Sequence, residues 1–565
     1  MELLPIPPLG QTLERFITSV LPFLTEDEID QTKAAAAQFE SHCGEVLQQR
    51  LLSYAQQQDK KDLSWMTDIK LAAYLQDIRP LALCSNPGMQ FDYRSNDQGI
   101  QRAASLIHRI ARVHIDYLNG DIEQPVDARG QPISMHSWRV FSGAMREPLA
   151  DGDRYHFAAP QTANRIINVI WQEHHFTLQV TDDNGNVFSV KTLTDALQSI
   201  VDGQYEQPAF NFMALSALGS EKTGAYLRTL CNIPHNQRIY EALRDSLFCF
   251  SLYHSNKEEF DQVREQSFMP GFAWQYKPFT YQVDLDSNFT CLHFEHTEID
   301  GGALSIMFTR AFQLEPNDQA TGQPTITPLD WQCDQTTSTR IQRDIEAVTD
   351  QASQFQLVQC LVDNSAITGK VSHDAIIQFS LMYAQLKVFD QVRMTYEAVD
   401  TSHFKAGRTE AMRPNSSQAI ALCRALLKDE ANKELLDAAF AEHRVRVIAC
   451  KSGQAYDRHL SGLQAMIQPD DDKDCIDAFF TSPGYKALTG GDFVSTSSLG
   501  NRSPIIRVIF VPTLAGGFGV YYSNDDTGYE FVFIGDRQSQ PYLDDMRDAC
   551  VEGANKLIAL FVNNN

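Results

Sequence analysis

The sequence has no uninterrupted apolar run of about 18 residues, the length that a membrane-spanning helix needs, so we expect no membrane span. It also has no block of Lys and Arg: 47 basic residues stand against 72 acidic ones, giving a formal net charge of −25. Such a charge repels phosphate polymers and anionic lipid surfaces. Nucleic acid is therefore not an expected partner, although a local basic pocket for a small anion remains compatible with this balance.

Sequence motifs of several large enzyme classes are missing. There is no G-x-S-x-G nucleophile elbow, no phosphate-binding P-loop and no G-x-G-x-x-G dinucleotide motif. The 11 cysteines are scattered without a C-x-x-C pair, so we expect reduced and mostly buried thiols. The pairs His174-His175 and His293/His296 lack a third ligand at a known spacing, so we expect no metal site.

The length of 565 residues predicts at least two domains. Residues 1–10 are rich in proline and show neither an apolar signal core nor an Arg-rich amphipathic leader, and the last three residues are not a peroxisomal signal. We therefore expect a cytoplasmic protein.

Hydrophobic periodicity predicts both helices and strands in each half of the chain. Residues 11–60 have helical spacing, and Thr25 with Glu28 forms a capping-box pattern. The ranges 345–386 and 541–562 are also predicted as helical, and residues 315–339 as a linker. Alternation predicts strands at 166–171, 176–180, 280–285, 290–294, 505–510, 519–522 and 529–533. The expected class is α/β (α+β), with mixed sheets flanked by helices.

Two segments carry chemistry-bearing side chains. His296 follows a predicted strand, and Asp300 lies four residues later before a Gly pair. Residues 495–498 read Ser-Thr-Ser-Ser. Taken alone, each has an ordinary structural interpretation: a buried, hydrogen-bonded histidine and a solvated loop.

The order of several motifs resembles the choline/carnitine acyltransferase family over nearly the whole length. They are Leu4-Pro-Ile-Pro-Pro with Leu24-Thr-Glu-Asp-Glu28, Glu295-His296 with Asp300-Gly301, Tyr396-Glu397, Gly407-Arg408-Thr409-Glu410 with Arg413, Tyr456-Asp457-Arg458-His459, Ser495-Thr496-Ser497, and Gly516-Gly-Phe-Gly-Val-Tyr-Tyr522.

The resemblance implies two chloramphenicol-acetyltransferase-like domains with an active-site tunnel at their interface. Residues 1–85 and 341–565 are expected in one domain and residues 86–340, with the catalytic histidine, in the other. Members transfer an acyl group between coenzyme A and the hydroxyl of carnitine or choline. Coenzyme A is then a substrate, no cofactor is needed, and we expect a monomer.

The resemblance also implies residue roles. His296 is the general base, since an imidazole titrates near neutral pH. Ser497 donates to the tetrahedral oxyanion and Ser495 contacts the substrate. Asp300 is expected in a supporting ion pair with Arg458, the alternative being a solvated turn acid.

The choice between carnitine and choline depends on whether the site can bind a carboxylate, which carnitine has and choline lacks. Arg458, Thr409 and Tyr396 would bind that group, whereas choline-type members have valine and asparagine at the positions of Thr409 and Arg458. L-carnitine is therefore the expected acceptor. Phe531 is expected to face the trimethylammonium group, the alternative being an ordinary core position.

The coenzyme A region departs from the family pattern. Lys370, Asp374 and Ser498 are expected to contact coenzyme A, but Ile367 and Asp363 occupy the positions of two phosphate-binding lysines. The acyl-chain length is not predicted. Two other interpretations stay open: a catalytically degenerate member that acts as a binding protein, and an acyltransferase that uses another pantetheine thioester.

Overall fold

The computed structural model of the chain describes residues 1–127, 129–525 and 528–563, in which helices and strands are interleaved. The strands are β1 (Gly88–Phe91), β2 (Ala144–Glu147), β3 (Arg154–Phe157), β4 (Ile166–Trp171), β5 (His174–Gln179), β6 (Cys249–Tyr253), β7 (Phe279–Asp284), β8 (Thr290–Phe294), β9 (Ile326–Pro328), β10 (Gln356–Val362), β11 (Thr395–Asp400), β12 (Thr409–Met412), β13 (Val494–Ser497), β14 (Ile505–Ile509), β15 (Phe518–Asp525) and β16 (Gly528–Gly535).

The helices are α1 (Leu9–Val20), α2 (Glu26–Ser41), α3 (Cys43–Asp59), α4 (Thr67–Gln76), α5 (Gly99–Asn119), α6 (Val190–Val201), α7 (Phe212–Leu215), α8 (Ser220–Leu230), α9 (Pro234–Asp245), α10 (Glu259–Phe268), α11 (Gly301–Gln313), α12 (Gln335–Ala352), α13 (His373–Phe389), α14 (Ser417–Leu427), α15 (Lys433–Lys451), α16 (Asp457–Ala465), α17 (Lys473–Phe480), α18 (Pro483–Thr489) and α19 (Leu543–Asn563). None of these helices is long and apolar enough to cross a bilayer.

Two large mixed sheets organise the fold. The first has the order β14-β1-β8-β7-β6-β4-β5-β9, and the second has the order β10-β16-β15-β13-β11-β12. β4, β6 and β7 run parallel in the first sheet, and β11, β13 and β15 run parallel in the second. The predicted α/β class with mixed sheets is thereby confirmed.

A crossing of the chain between the sheets positions the site. β13, with Ser495 and Ser497, belongs to the second sheet, whereas β14 pairs antiparallel with β1 in the first. β1 in turn pairs with β8, the strand that precedes His296. The chain therefore brings residues 495–498 near the strand end that carries the histidine. β14 joins the sheet of residues 86–340 although it lies within 341–565, and the domain boundaries stay a prediction.

Each sheet has its own apolar core. Side chains from β1, β4–β8 and helix α5 form the largest cluster. One face of the second sheet packs against α13 and α19, and the N-terminal helices pack with residues 456–488. Burial of these apolar faces is the main force that holds the layers together.

Most predicted elements are confirmed. The seven predicted strands correspond to β4, β5, β7, β8, β14, β15 and β16, and the Thr25/Glu28 capping box starts α2. The continuous helix over 345–386 is wrong, because β10 intervenes between α12 and α13. β10 is an edge strand that leaves Leu361 63% exposed, so its apolar residues do not show the alternation of a half-buried strand. The predicted linker contains β9 and the start of α12.

The expectation of reduced thiols is wrong at one pair. Cys43 on α3 and Cys475 on α17 form a disulfide, while the other nine cysteines are free. Their Cα atoms lie 6.3 Å apart, within the range that a disulfide spans. The packing of α17 on the N-terminal helices brings the two residues together, and a separation of 432 residues gives no sequence signal for the pairing.

Candidate active site

A cavity of about 680 Å³ draws its wall from both large sheets and from α4. It brings together His296, Asp300, Tyr396, Thr409, Arg458, Ser495, Ser497 and Ser498, all of which were predicted as site residues. One end of the wall is rich in charged groups, and the remainder includes Met89, Val508 and Leu499. A cavity with convergent polar groups and an apolar remainder is typical of a small-molecule site.

His296 lies just after β8 and presents a basic nitrogen to the cavity. Its Nδ1 lies 2.8 Å from the carbonyl oxygen of Ile299. Because a carbonyl only accepts hydrogen bonds, Nδ1 carries the proton and Nε2 keeps its lone pair. Burial lowers the pKa of His296 to about 4, with the positive charges of Arg408 and Lys70 adding to the effect and Asp300 opposing it. The ring is therefore a neutral base at pH 7.

Asp300 pairs with Arg408, so the expected pair with Arg458 is wrong. Arg408 Nε and Nη2 donate to the two carboxylate oxygens at 2.7 and 3.0 Å. Arg408 follows Gly407, which packs so closely on the chain that a Cβ there would overlap the carbonyl oxygen of Thr401. Burial alone would raise the pKa of Asp300, but Arg408 and Lys70 outweigh it and hold that pKa well below its ordinary value.

The same arginine fixes the backbone around the histidine. Arg408 also donates to the carbonyl oxygens of His296, at 3.0 Å, and of Thr297. One guanidinium thus ties the loop after β8 to the start of β12. Sequence reasoning missed this role of Arg408, although its position next to Thr409 is a usable signal.

Ser495 and Ser497 alternate with Thr496 on β13. Thr496 Oγ1 donates to the carbonyl oxygen of Tyr396 at 2.8 Å and accepts from Gln378 at 3.0 Å. In the part of the chain that the structure describes, the hydroxyls of Ser495 and Ser497 have no protein partner, and both residues line the cavity. Their hydroxyls are thus available to a ligand.

The charged end of the cavity is formed by Arg458, Tyr396 and Thr409. Arg458 Nη2 lies 3.5 Å from the hydroxyl of Tyr396. Thr409 Oγ1 accepts a hydrogen bond from Lys70 Nζ at 3.0 Å. Sequence reasoning missed Lys70, which shares one face of α4 with Tyr74: residues 70, 73, 74 and 77 all line the cavity with helical spacing.

Phe531 does not face the cavity, and that prediction is wrong. Its side chain is fully buried among the helices that cover the second sheet, because its position on β16 points it away from the site. The rings that line the cavity are those of Tyr74, Phe294, Tyr396 and Phe510.

Of these rings, that of Phe510 has no cation over it and no aromatic ring packed against it among the described residues. Cations of the chain already lie over the rings of Tyr74 and Tyr396. Phe294 packs edge-on against the ring of His296.

The residues predicted for coenzyme A are not brought together. Ser498 lines the cavity, and its hydroxyl accepts from the backbone of Gly500 at 3.1 Å. Asp374, in the first turn of α13, accepts from the hydroxyl of Tyr522 at 2.5 Å and lies 2.9 Å from His443 Nε2. Lys370 is exposed in the segment before α13. Among the described residues, no cluster of His, Cys, Asp and Glu could hold a metal ion.

The sequence is similar to known proteins over most of its length. Residues 4–548 match the family model described as Choline/Carnitine o-acyltransferase. The chain is 23% identical over 560 residues to a carnitine O-acetyltransferase of Columba livia, covering 92% of this chain and 86% of that protein. It is 25% identical over 559 residues to a peroxisomal carnitine O-octanoyltransferase of Rattus norvegicus, covering 92% and 89%. A solved trichothecene 15-O-acetyltransferase of Fusarium sporotrichioides is 9% identical, covers 86% of this chain and 94% of that chain, and has a TM-score of 0.38.

Proposed function

The chain belongs to the choline/carnitine O-acyltransferase family, and we propose that it transfers acyl groups reversibly between coenzyme A and the hydroxyl of L-carnitine. The observation that carries the proposal is the content of one cavity. A neutral histidine and an end lined by Arg458 meet there with two serine hydroxyls, and within the described residues neither those hydroxyls nor the histidine Nε2 has a partner.

The proposed reaction starts with proton transfer to His296. Nε2 accepts the proton of the carnitine hydroxyl as its oxygen attacks the thioester carbonyl carbon. The carbonyl electron pair moves to oxygen, and the Ser497 hydroxyl donates a hydrogen bond to that oxyanion. When the intermediate collapses, the C–S bond breaks and the thiolate takes the proton from the imidazolium. The hydrogen bond from Nδ1 to Ile299 keeps the ring oriented through both transfers.

Carnitine, rather than choline, fits the charges at the arginine-lined end. Burying a carboxylate is costly unless cations and donors meet it. Arg458, Tyr396 and Thr409 supply one charged and two neutral partners in one part of the wall. The trimethylammonium group has no N–H to donate, and the ring of Phe510 offers it an aromatic face.

The residues of the chain indicate the identity of the acyl donor less clearly than that of the acceptor. Asp363 and Ile367 occupy positions where family members have phosphate-binding lysines, and Lys370 is exposed. This departure favours a second candidate: the same reaction with a pantetheine thioester that lacks the 3′-phosphate. The acceptor site and the roles of His296 and Ser497 are the same in both.

A thiol-release assay tests the proposal. Acetyl-, octanoyl- and palmitoyl-coenzyme A are each incubated with L-carnitine, and the free thiol is measured. We expect release that depends on L-carnitine with at least one donor and is abolished by His296→Ala. No thiol release from the three coenzyme A donors, together with release from acyl-pantetheine, would support the second candidate. No thiol release from any thioester would overturn acyl transfer.

A further inference from the structure

Lys70 presents an ammonium group to the cavity with its charge only partly compensated. Its side chain is 12% exposed, and Nζ donates one hydrogen bond, to Thr409. The nearest carboxylate oxygen belongs to Asp300, 3.8 Å away. Asp300, however, already accepts two hydrogen bonds from Arg408. Because an ammonium has three N–H donors, Lys70 keeps donors for a ligand.

Arg458, which lines the same cavity, is a second cation whose charge is only partly compensated. The carboxylate oxygen nearest to its guanidinium is that of Asp457, 4.0 Å from Nη1, and Glu410 Oε1 accepts from its backbone N–H at 3.2 Å. Asp457 is engaged by Arg413, whose Nη2 and Nε lie 3.0 and 3.2 Å from it. The Nε of Arg458 is buried and, within the described residues, has no hydrogen-bond partner. Two cations thus line one cavity, while neighbouring arginines form the ion pairs with Asp300 and Asp457.

We propose that Lys70 and Arg458 jointly bind the carboxylate of the acyl acceptor, so that Lys70 determines specificity for a carboxylate-bearing acceptor. This inference rests on the proposed function and adds a residue to it. Two partly desolvated cations repel each other, and an anion between them removes that repulsion and satisfies their remaining donors. Thr409 lies beside both and offers its hydroxyl to the same group.

The alternative is a purely structural lysine that holds Thr409 and Asp300 in place. The two roles differ in their pH dependence. In the free protein, burial lowers the pKa of Lys70 to about 7, and nearby cations add to this effect. The charged or titratable groups that face Lys70 are Arg408, Asp300, Arg458, Glu410 and Tyr74.

A bound carboxylate would raise the pKa of Lys70, because it stabilises the ammonium form. Acceptor binding should therefore be strongest below pH 7 and weaken as the pH rises above it. If only the ammonium form binds, the apparent dissociation constant increases about tenfold between pH 6 and pH 8.

Calorimetry without an acyl donor measures this binding independently of turnover. The ligands are L-carnitine and its carboxamide, which keeps the trimethylammonium and hydroxyl groups but has no charge at the carboxyl end. The proteins are wild type, Lys70→Met, Lys70→Gln and the control Lys405→Met. Lys405 is a half-buried lysine whose partners, Asp59 and Asp62, lie outside the cavity lining.

We expect both Lys70 variants to bind L-carnitine roughly tenfold to a hundredfold more weakly than wild type, with the carboxamide unaffected. The rise of the dissociation constant between pH 6 and pH 8 should disappear in the variants and persist in Lys405→Met. Equal losses for both ligands, or unchanged binding of L-carnitine, would overturn the inference.

Wild type that binds L-carnitine no more tightly than the carboxamide would overturn it without any variant, which covers the case in which the variants do not fold. If wild type binds L-carnitine in a Lys70-dependent way but transfers no acyl group, the inference stands and the proposed function fails. If wild type does not bind L-carnitine, both fail.

Discussion

Arg408 and Asp300 act on the pKa of His296 in opposite directions, and this opposition yields a sharp prediction. The positive charge of Arg408 lowers that pKa, and the carboxylate of Asp300 raises it. Arg408→Met should therefore raise the pKa of His296, and Asp300→Asn should lower it further. Because only the neutral imidazole can accept the substrate proton, the acid limb of kcat/KM should move to higher pH in the first variant and to lower pH in the second.

Both substitutions should destabilise the fold, although their effects on the histidine differ in sign. Truncating one partner of a buried ion pair typically costs about 3–5 kcal/mol. Here the side chains of Arg408 and Asp300 are 14% and 20% exposed, and Lys70 remains beside Asp300. We therefore expect Arg408→Met to lower the free energy of unfolding by about 2–4 kcal/mol. The double variant should lose less than the sum of the two single losses, because neither Arg408 nor Asp300 is left without the other.

The matched control is Arg50→Met. Arg50 forms a comparable two-pronged pair with Asp471, at 2.5 and 2.6 Å, outside the cavity lining. It should be less stable than wild type but keep the wild-type acid limb. Chemical unfolding and pH profiles of kcat/KM measure the two effects separately. Acid limbs that move in the same direction for Arg408→Met and Asp300→Asn would refute the electrostatic reasoning.

Three further predictions concern the reaction and its substrates. His296→Ala should reduce kcat at least about 10³-fold, and Ser497→Ala should reduce it roughly 10²- to 10³-fold. L-carnitine binding to His296→Ala, measured by calorimetry, should be unchanged. Near-normal turnover in the histidine variant would refute the proposed mechanism. Arg458→Asn with Thr409→Val should increase the KM for L-carnitine by at least about tenfold and affect choline far less, and an unchanged KM would show that the carboxylate binds elsewhere. Dephospho-coenzyme A thioesters should serve within about tenfold of the normal donors in kcat/KM, with Lys370→Ala removing the remaining preference, whereas a preference of about 10³ would reveal another phosphate-binding group.

The family resemblance carried by the order of the motifs predicted most of the residues that meet in the cavity. It did not predict their pairing. Asp300 is four residues from His296 and 108 residues from Arg408, and only the folded loop before β12 decides which arginine reaches it. A motif shows that charges are present, whereas the distances between elements determine the partners.

The alternation of side chains along β16 explains why the prediction for Phe531 is wrong. Side chains alternate between the faces of a strand, so a shift of one position moves a residue from one core to the other. Phe531 and Phe533 pack under α13 and α19, whereas Val532 and Ile534 face the core of the first sheet. An aromatic residue on a strand that is apolar on both faces carries no sequence signal for its direction. Phe510, directly after β14, lines the cavity instead.

The cavity also shows how an acidic protein can present positive charge to a ligand. A net charge of −25 would by itself oppose the binding of a carboxylate. Three acids near the site nevertheless form ion pairs with other arginines: Asp300 with Arg408, and Asp457 and Asp492 with Arg413. These pairs neutralise the acids in place and leave Lys70 and Arg458 to face the cavity. The electrostatic potential in the cavity therefore depends on which cation pairs with each carboxylate. For that reason, substituting Arg408 or Arg413 should change acceptor binding even though neither side chain is proposed to contact the acceptor.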